Sequence, residues 1–211
     1  MVKKALIVWG GWQGHTPKEC ADLFAPWLRE QGYEVAVSNT LDSYLDTAKM
    51  MSLSLVVPIW TMGQITGPQE KGLLEAVASG VGIAGWHGGM CDSFRNNTQY
   101  QWMTGGQWVA HPGGIIPSYD VHIIAHDHPI TRRVKDFKML NTEQYYMHVD
   151  PSNNVLATTT FQNGCVMPVV WTRMWGEGKV FYSSLGHTDK DFAAPEALEI
   201  VRRGLLWASR L

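Results

Sequence analysis

Four short apolar runs punctuate the first 86 residues: "KKALIVWG" (3–10), "YEVAVS" (33–38), "LSLVVPIW" (53–60) and "VGIAGW" (81–86). Each has the length of a strand, and the third is almost wholly apolar, as a strand covered on both faces must be. Two segments between them have helical character. In "PKECADLFAPWLREQGY" (17–33), Cys20, Phe24, Trp27 and Leu28 share one face, with Pro17 in the first turn and Gly32 at the end. Pro26 inside it predicts a kink. "GPQEKGLLEAVASG" (67–80) has Pro68 near its start and Gly80 after its end. Strands and helices joined by short connections predict an open parallel sheet with helices on both faces.

Beyond residue 97 the rhythm changes. "YDVHIIA" (119–125), "NVLATTTF" (154–161), "MPVVWTRMW" (167–175) and "KVFYSSLG" (179–186) read as strands with little helix between them, which predicts an antiparallel extension. "EALEIVRRGLLWAS" (196–209) closes the chain as a helix, with Leu198, Val201 and Leu205 on one stripe. No repeat or linker interrupts the 211 residues, so a single domain over 1–211 is expected.

Charge narrows the function classes. A net charge of −2 offers no electrostatic footprint for nucleic acid or an anionic membrane surface. No stretch approaches the roughly 20 apolar residues of a membrane span. The run Ala5–Trp9 is shorter than the about 7–15 residues of a signal-peptide core and reads as a first strand. Three widely spaced cysteines imply no disulfide framework, so a cytoplasmic protein is expected. Ten tryptophans and eight histidines are unusual at this length. Such residues either fill the core or gather where polar organic ligands and metals bind.

In a doubly wound sheet, ligands bind beyond the carboxyl ends of the strands. After the first strand comes "GGWQGHTP", with Gly11, Trp12 and His15; Trp60 ends the third. The fourth leads into "GWHGGMCD", with Trp86, His87, Cys91 and Asp92, and the last into "LGHTD", with His187. Three strand ends therefore deliver a histidine to one edge of the sheet. Each alone could be a hydrogen-bonded structural residue, but the glycines beside His87 and His187 leave room for a ligand. The Gly-rich "GGQWVAHPGG" (105–114) holds Trp108 and His111 without the Lys of a phosphate loop. "NTEQYYMHVDP" (141–151) carries Glu143, Tyr145, Tyr146 and His148. Read as one strand, it puts Glu143, Tyr145 and Met147 on one face. His122, His126 and His128 read as surface or capping residues.

Together, "VWGGWQGH", "GWHGG", "GGQWVAHPGG", "HPIT", "EQYYMHVDP" and "KVFYSSLGHT" resemble the ThuA-like (trehalose-utilisation) family, from near residue 7 to 188. The resemblance implies a flavodoxin-like fold similar to that of the class I glutamine amidotransferases: a mainly parallel sheet flanked by helices. In those enzymes the turn after the equivalent strand carries a nucleophilic cysteine. His87 occupies that place here, while His187 matches the amidotransferase histidine, so glutamine hydrolysis through a thioester is disfavoured.

The expected function is a sugar-metabolism enzyme acting on a disaccharide or its keto derivative by hydrolysis, elimination or isomerisation. His87, His187 and Glu143 are the candidate catalytic groups. Gly11, Trp12, His15, Trp60, Trp86, His111, Tyr145 and His148 are the candidate substrate-binding set. His15, His87 and His187 suit a divalent transition metal such as zinc, although a metal-free acid–base scheme uses the same groups. A non-catalytic carbohydrate-binding protein and an amidase- or peptidase-like hydrolase are the alternatives. The partner is a small carbohydrate, and the exposed aromatic content makes a homo-oligomer plausible.

Overall fold

A computed structural model describes residues 2–211. Its main sheet has nine strands. The parallel half contains β1 (Lys3–Gly11), β2 (Tyr33–Ser38), β3 (Leu55–Thr61), β4 (Gly82–Trp86) and β11 (Gly178–Ser183). The antiparallel half continues through β10 (Val166–Trp175), β9 (Asn154–Thr160), β6 (Ile115–Ile123) and β7 (Phe137–Glu143). The spatial order is β2-β1-β3-β4-β11-β10-β9-β6-β7. β11 is the hinge of the topology, parallel to β4 on one side and antiparallel to β10 on the other. A second, two-stranded antiparallel sheet joins β5 (Gly106–Ala110) to β8 (Tyr146–Val149).

Strand alternation builds a core on each face of the main sheet. Along β1, Ala5 and Ile7 enter one core while Leu6 and Val8 enter the other. The first core is closed by α1 (Pro17–Glu30) and α6 (Pro195–Ala208), which bury Phe24, Leu28, Ile200 and Leu205. α3 (Gly67–Ala78) closes the second with Leu73 and Val77, over Val56, Ile83 and Tyr182. α1 runs uninterrupted through Pro26.

Several elements differ from the sequence reading. The connection between β2 and β3 contains α2 (Thr47–Ser52), and short helices α4 (His87–Cys91) and α5 (Thr98–Thr104) follow β4. The expected Gly-rich loop 105–114 contains β5. Residues 141–151 do not form one strand: the chain leaves the main sheet at Glu143, bends through Gln144 and Tyr145, and enters the small sheet at Tyr146. That crossing buries Glu143, Gln144 and Tyr145 in succession, where a continuous strand would alternate.

Candidate active site

Four elements converge at the carboxyl edge of the parallel strands. After β1, a 3-10 turn (Gln13–His15) brings back His15, whose Nδ1 lies 2.9 Å from Thr61 Oγ1 at the end of β3. β4 breaks abruptly into α4, and His87 at the break has φ +46. That left-handed backbone is uncommon outside glycine, and strained positions of this kind collect at functional sites. Gly88 is required beside it, because a Cβ there would stand 2.5 Å from His15 Cε1. Glu143 is the last residue of β7, and His187 follows β11. Asp191 ties these last two loops together, accepting from the His187 N–H at 2.8 Å and from the Thr142 hydroxyl.

The four side chains form one buried cluster whose ligand-type atoms all lie within 4.8 Å of one another. Glu143 Oε2 is 3.1 Å from His87 Nε2, 3.2 Å from His187 Nδ1 and 4.0 Å from His15 Nε2. His87 Nε2 and His187 Nδ1 are 3.3 Å apart. His87 Nδ1 lies 2.8 Å from the Ser184 carbonyl, which fixes the proton on that nitrogen and turns the Nε2 lone pair towards Glu143. Burial would raise the Glu143 carboxyl, but its bonds to His187 and His87 outweigh that and hold it below the usual carboxylate range. Burial, then the neighbouring His87 and His187 imidazoles, push His15 down to about 2. Burial likewise lowers His87 against the pull of Glu143.

An ionised oxygen and a bare imidazole nitrogen 3.1 Å apart are two acceptors facing each other. A proton on His187 Nδ1 can serve both, yet it reaches neither oxygen nor nitrogen for His15. A cation would satisfy all four, and the Ser184 carbonyl behind His87 is the kind of outer partner that metal-ligating histidines usually have. The spacings among His87, His187 and Glu143, 3.1–3.3 Å, fall near the about 3.3–3.5 Å expected between ligands around a tetrahedral zinc with bonds of about 2.0–2.1 Å. His15 stands somewhat further out.

Beside the cluster lies a cavity of about 330 Å³. His15 and Glu143 of the cluster line it, together with Trp12, His111 and Tyr145. Tyr145 stacks on His87, with ring centroids 3.7 Å apart, and Trp12 meets His15 edge-on at 4.7 Å. His111 Nδ1 lies 3.8 Å from Glu143 Oε1, the carboxylate oxygen turned away from the histidines. Gly11 (φ +73) shapes the turn before Trp12: a Cβ there would strike the Thr61 carbonyl.

Three expected binding residues stand elsewhere. Trp86 is buried against Phe24 and Phe192 in the first core, because β4 points its last side chain into the helical layer. Trp60 packs over Gly10 and Gly63 rather than on the cavity wall. His148 is exposed on β8, on the face opposite Tyr145 and Met147. The cavity also includes Met62, Asp92, Arg95 and Trp108. Of these, Asp92 and Trp108 were noted in the sequence, and Arg95 was not; the only signal it carried is its i,i+3 spacing from Asp92.

The turn after β4, where the resemblance implied an amidotransferase-type nucleophile, carries His87 with φ +46. Cys91, one turn on, is fully buried, and burial pushes its thiol far above the ordinary range. No thiol lines the cavity.

Strained turn, late-strand histidine and half-parallel sheet together describe a mixed α/β scaffold with a buried His/Glu cluster at the ends of its parallel strands. The sequence matches the ThuA (trehalose utilisation) family over residues 4–208, and the chain belongs to that family. A ThuA-like protein from Bacteroides uniformis superposes with a TM-score of 0.83 at 16% identity, covering 98% of this chain and 91% of that one. A cytoplasmic protein from Salmonella typhimurium superposes at 0.69 with 12% identity, over 99% of this chain and 100% of the other. A β-galactosidase from Bacillus circulans contains the same fold in 30% of its length, matching 98% of this chain at 0.63 with 13% identity. No curated protein matches the sequence.

Proposed function

We propose that this chain is a metal-dependent enzyme that transforms a keto-sugar derived from a disaccharide. The observation carrying the reading is the buried His15–His87–Glu143–His187 cluster opening onto a small aromatic cavity. Three imidazoles and one carboxylate suit zinc or a neighbouring transition ion. Once bound, such an ion polarises a carbonyl oxygen and so acidifies the adjacent C–H.

The chain's own groups do the rest. Ser184 and Thr61 hold His87 and His15 in orientation, and Tyr145 covers the His87 ring. Glu143 Oε1 and His111 are the bases that the cavity offers for a proton beside the ketone. Removing that proton sends the C–H electron pair towards the carbonyl. Expulsion of the β-oxygen substituent, taking up the abstracted proton as it leaves, would then complete an elimination; protonation of the former carbonyl carbon, with the hydroxyl proton of the adjacent carbon passing back to the base, would complete an isomerisation. The family's link to trehalose use supports the sugar, and the Salmonella relative's description supports a cytoplasmic location.

The test is incubation of purified protein with 3-keto-trehalose, with and without chelator, alongside elemental analysis. About one equivalent of transition metal, lost in His87→Ala, and chelator-sensitive consumption of the keto-sugar are expected. Unchanged keto-sugar with measurable binding would leave a carbohydrate-binding protein instead.

A further inference from the structure

Asp92 and Arg95 lie outside the four-residue cluster, and the chemistry above does not use them. Asp92 is 3% exposed, an ionisable side chain almost withdrawn from solvent at the end of α4. Its backbone is pinned by the Met62 N–H, which donates to the Asp92 carbonyl at 2.8 Å. Arg95 grips its carboxylate with both prongs of the fork, Nε to Oδ1 at 2.6 Å and Nη2 to Oδ2 at 2.8 Å. The same guanidinium lies over the Trp108 indole, 4.5 Å from the ring centre. A planar cation fixed along one edge and one face has little freedom left.

An isolated i,i+3 ion pair at a surface contributes little and needs no explanation. This one differs, because its acid is buried, its base is stacked, and both line the cavity that ends on His15 and Glu143. Among the described residues Arg95 Nη1 makes no hydrogen bond, and the side chain is 43% exposed. Arg95 lines the cavity with its guanidinium already held along one edge and one face, so an N–H it offers a ligand needs little reorganisation. Trp12, 45% exposed, lies on the same cavity and leans on His15, so a flat apolar surface adjoins the cluster.

We propose that Trp12 and the Asp92–Arg95 pair form a sugar-ring subsite, in which the ring lies on the indole and Arg95 Nη1 donates to a ring hydroxyl. This rests on the keto-sugar reading and specifies the ligand further. The pair is internally neutral, so a substrate carboxylate would meet Asp92 as well as Arg95 and gain little. The subsite selects an uncharged pyranose over an acid sugar. A 330 Å³ cavity is at the small end of ligand pockets and suits one ring at a time.

Calorimetric titration of the metal-loaded protein with trehalose and with glucuronate tests this, on the wild type, Arg95→Met and Arg95→Lys. Elemental analysis and keto-sugar kinetics on the same samples complete the experiment. Wild type is expected to bind trehalose more tightly than glucuronate. Arg95→Met should weaken trehalose binding about tenfold and raise KM by more than it lowers kcat, with metal content unchanged. Lysine keeps the charge but loses the fork, and should restore only part of the affinity. Equal trehalose affinity in Arg95→Met would overturn the subsite, as would loss of metal together with affinity. Tighter binding of glucuronate would overturn the uncharged assignment. Trehalose binding that depends on Arg95 without any keto-sugar turnover would overturn the enzymatic reading and leave the subsite standing. Turnover with unaltered KM in Arg95→Met would do the reverse.

Discussion

Gly88 has no chemistry of its own, yet the site depends on its lacking a side chain. A methyl group there would sit 2.5 Å from His15 Cε1 and 3.0 Å from Thr61 Cγ2, so Gly88→Ala must push His15 off its partner. Displacing a metal ligand or its orienting partner typically costs about 10–100-fold in affinity. Competition of the variant against a chromogenic chelator should show a loss in that range with the far-ultraviolet circular dichroism preserved; unchanged affinity would remove His15 from the ligand set. The cysteines give a second prediction at this scale. Cys20 and Cys91 are buried, and burial pushes the Cys20 thiol up to about 12, whereas Cys165 is partly exposed. A thiol reagent at neutral pH should modify one cysteine in the folded chain and three after denaturation. Rapid loss of Cys91 in the native protein would reopen the thiol route.

Among the elements, β1 to β4 and the flanking helices were readable because parallel, doubly covered strands are apolar runs bounded by glycine. β7 was not, since "FKMLNTE" lies at the sheet edge and exposes Lys138, Leu140 and Asn141. Glu143 was nevertheless picked out, by its neighbours rather than by its strand. The histidines were legible because strand ends can be placed from sequence. Arg95 was not, because its role depends on where Trp108 falls, and β5 was read as a loop. Trp86 and Trp60 show the converse error: proximity to a strand end does not decide which face a side chain takes. α5 illustrates how a short polar helix hides. "TQYQWMT" has no clean apolar stripe, and the helix starts because Asn97 Oδ1 accepts from the Tyr100 N–H at 2.8 Å. Asn97→Ala should cost about 1 kcal/mol and lower Tm by about 2–4 °C, with little effect on metal content. A calorimetric scan with no shift would show that the cap is dispensable.

On the scale of the whole chain, a resident cation would be linked to stability. A ligand that binds only the folded state at 100 times its Kd adds about 2.7 kcal/mol. In a protein of this size that corresponds to a Tm shift of about 5–11 °C. Chelation should therefore lower the melting temperature by that order in wild type and leave His87→Ala, already metal-free, unmoved. Equal shifts in both would mean that the chelator acts elsewhere.

The cluster draws its members from residues 15, 87, 143 and 187, contributed by both halves of the nine-stranded sheet. An ion seated there would act as a cross-link closing three successive loops, so its restraint on the unfolded ensemble would resemble that of a long-range bridge more than that of a local clip. It would also assemble late during synthesis. Until the segment after β11 has emerged and docked, the set lacks His187, so capture of the ion has to follow pairing of β11 into the sheet.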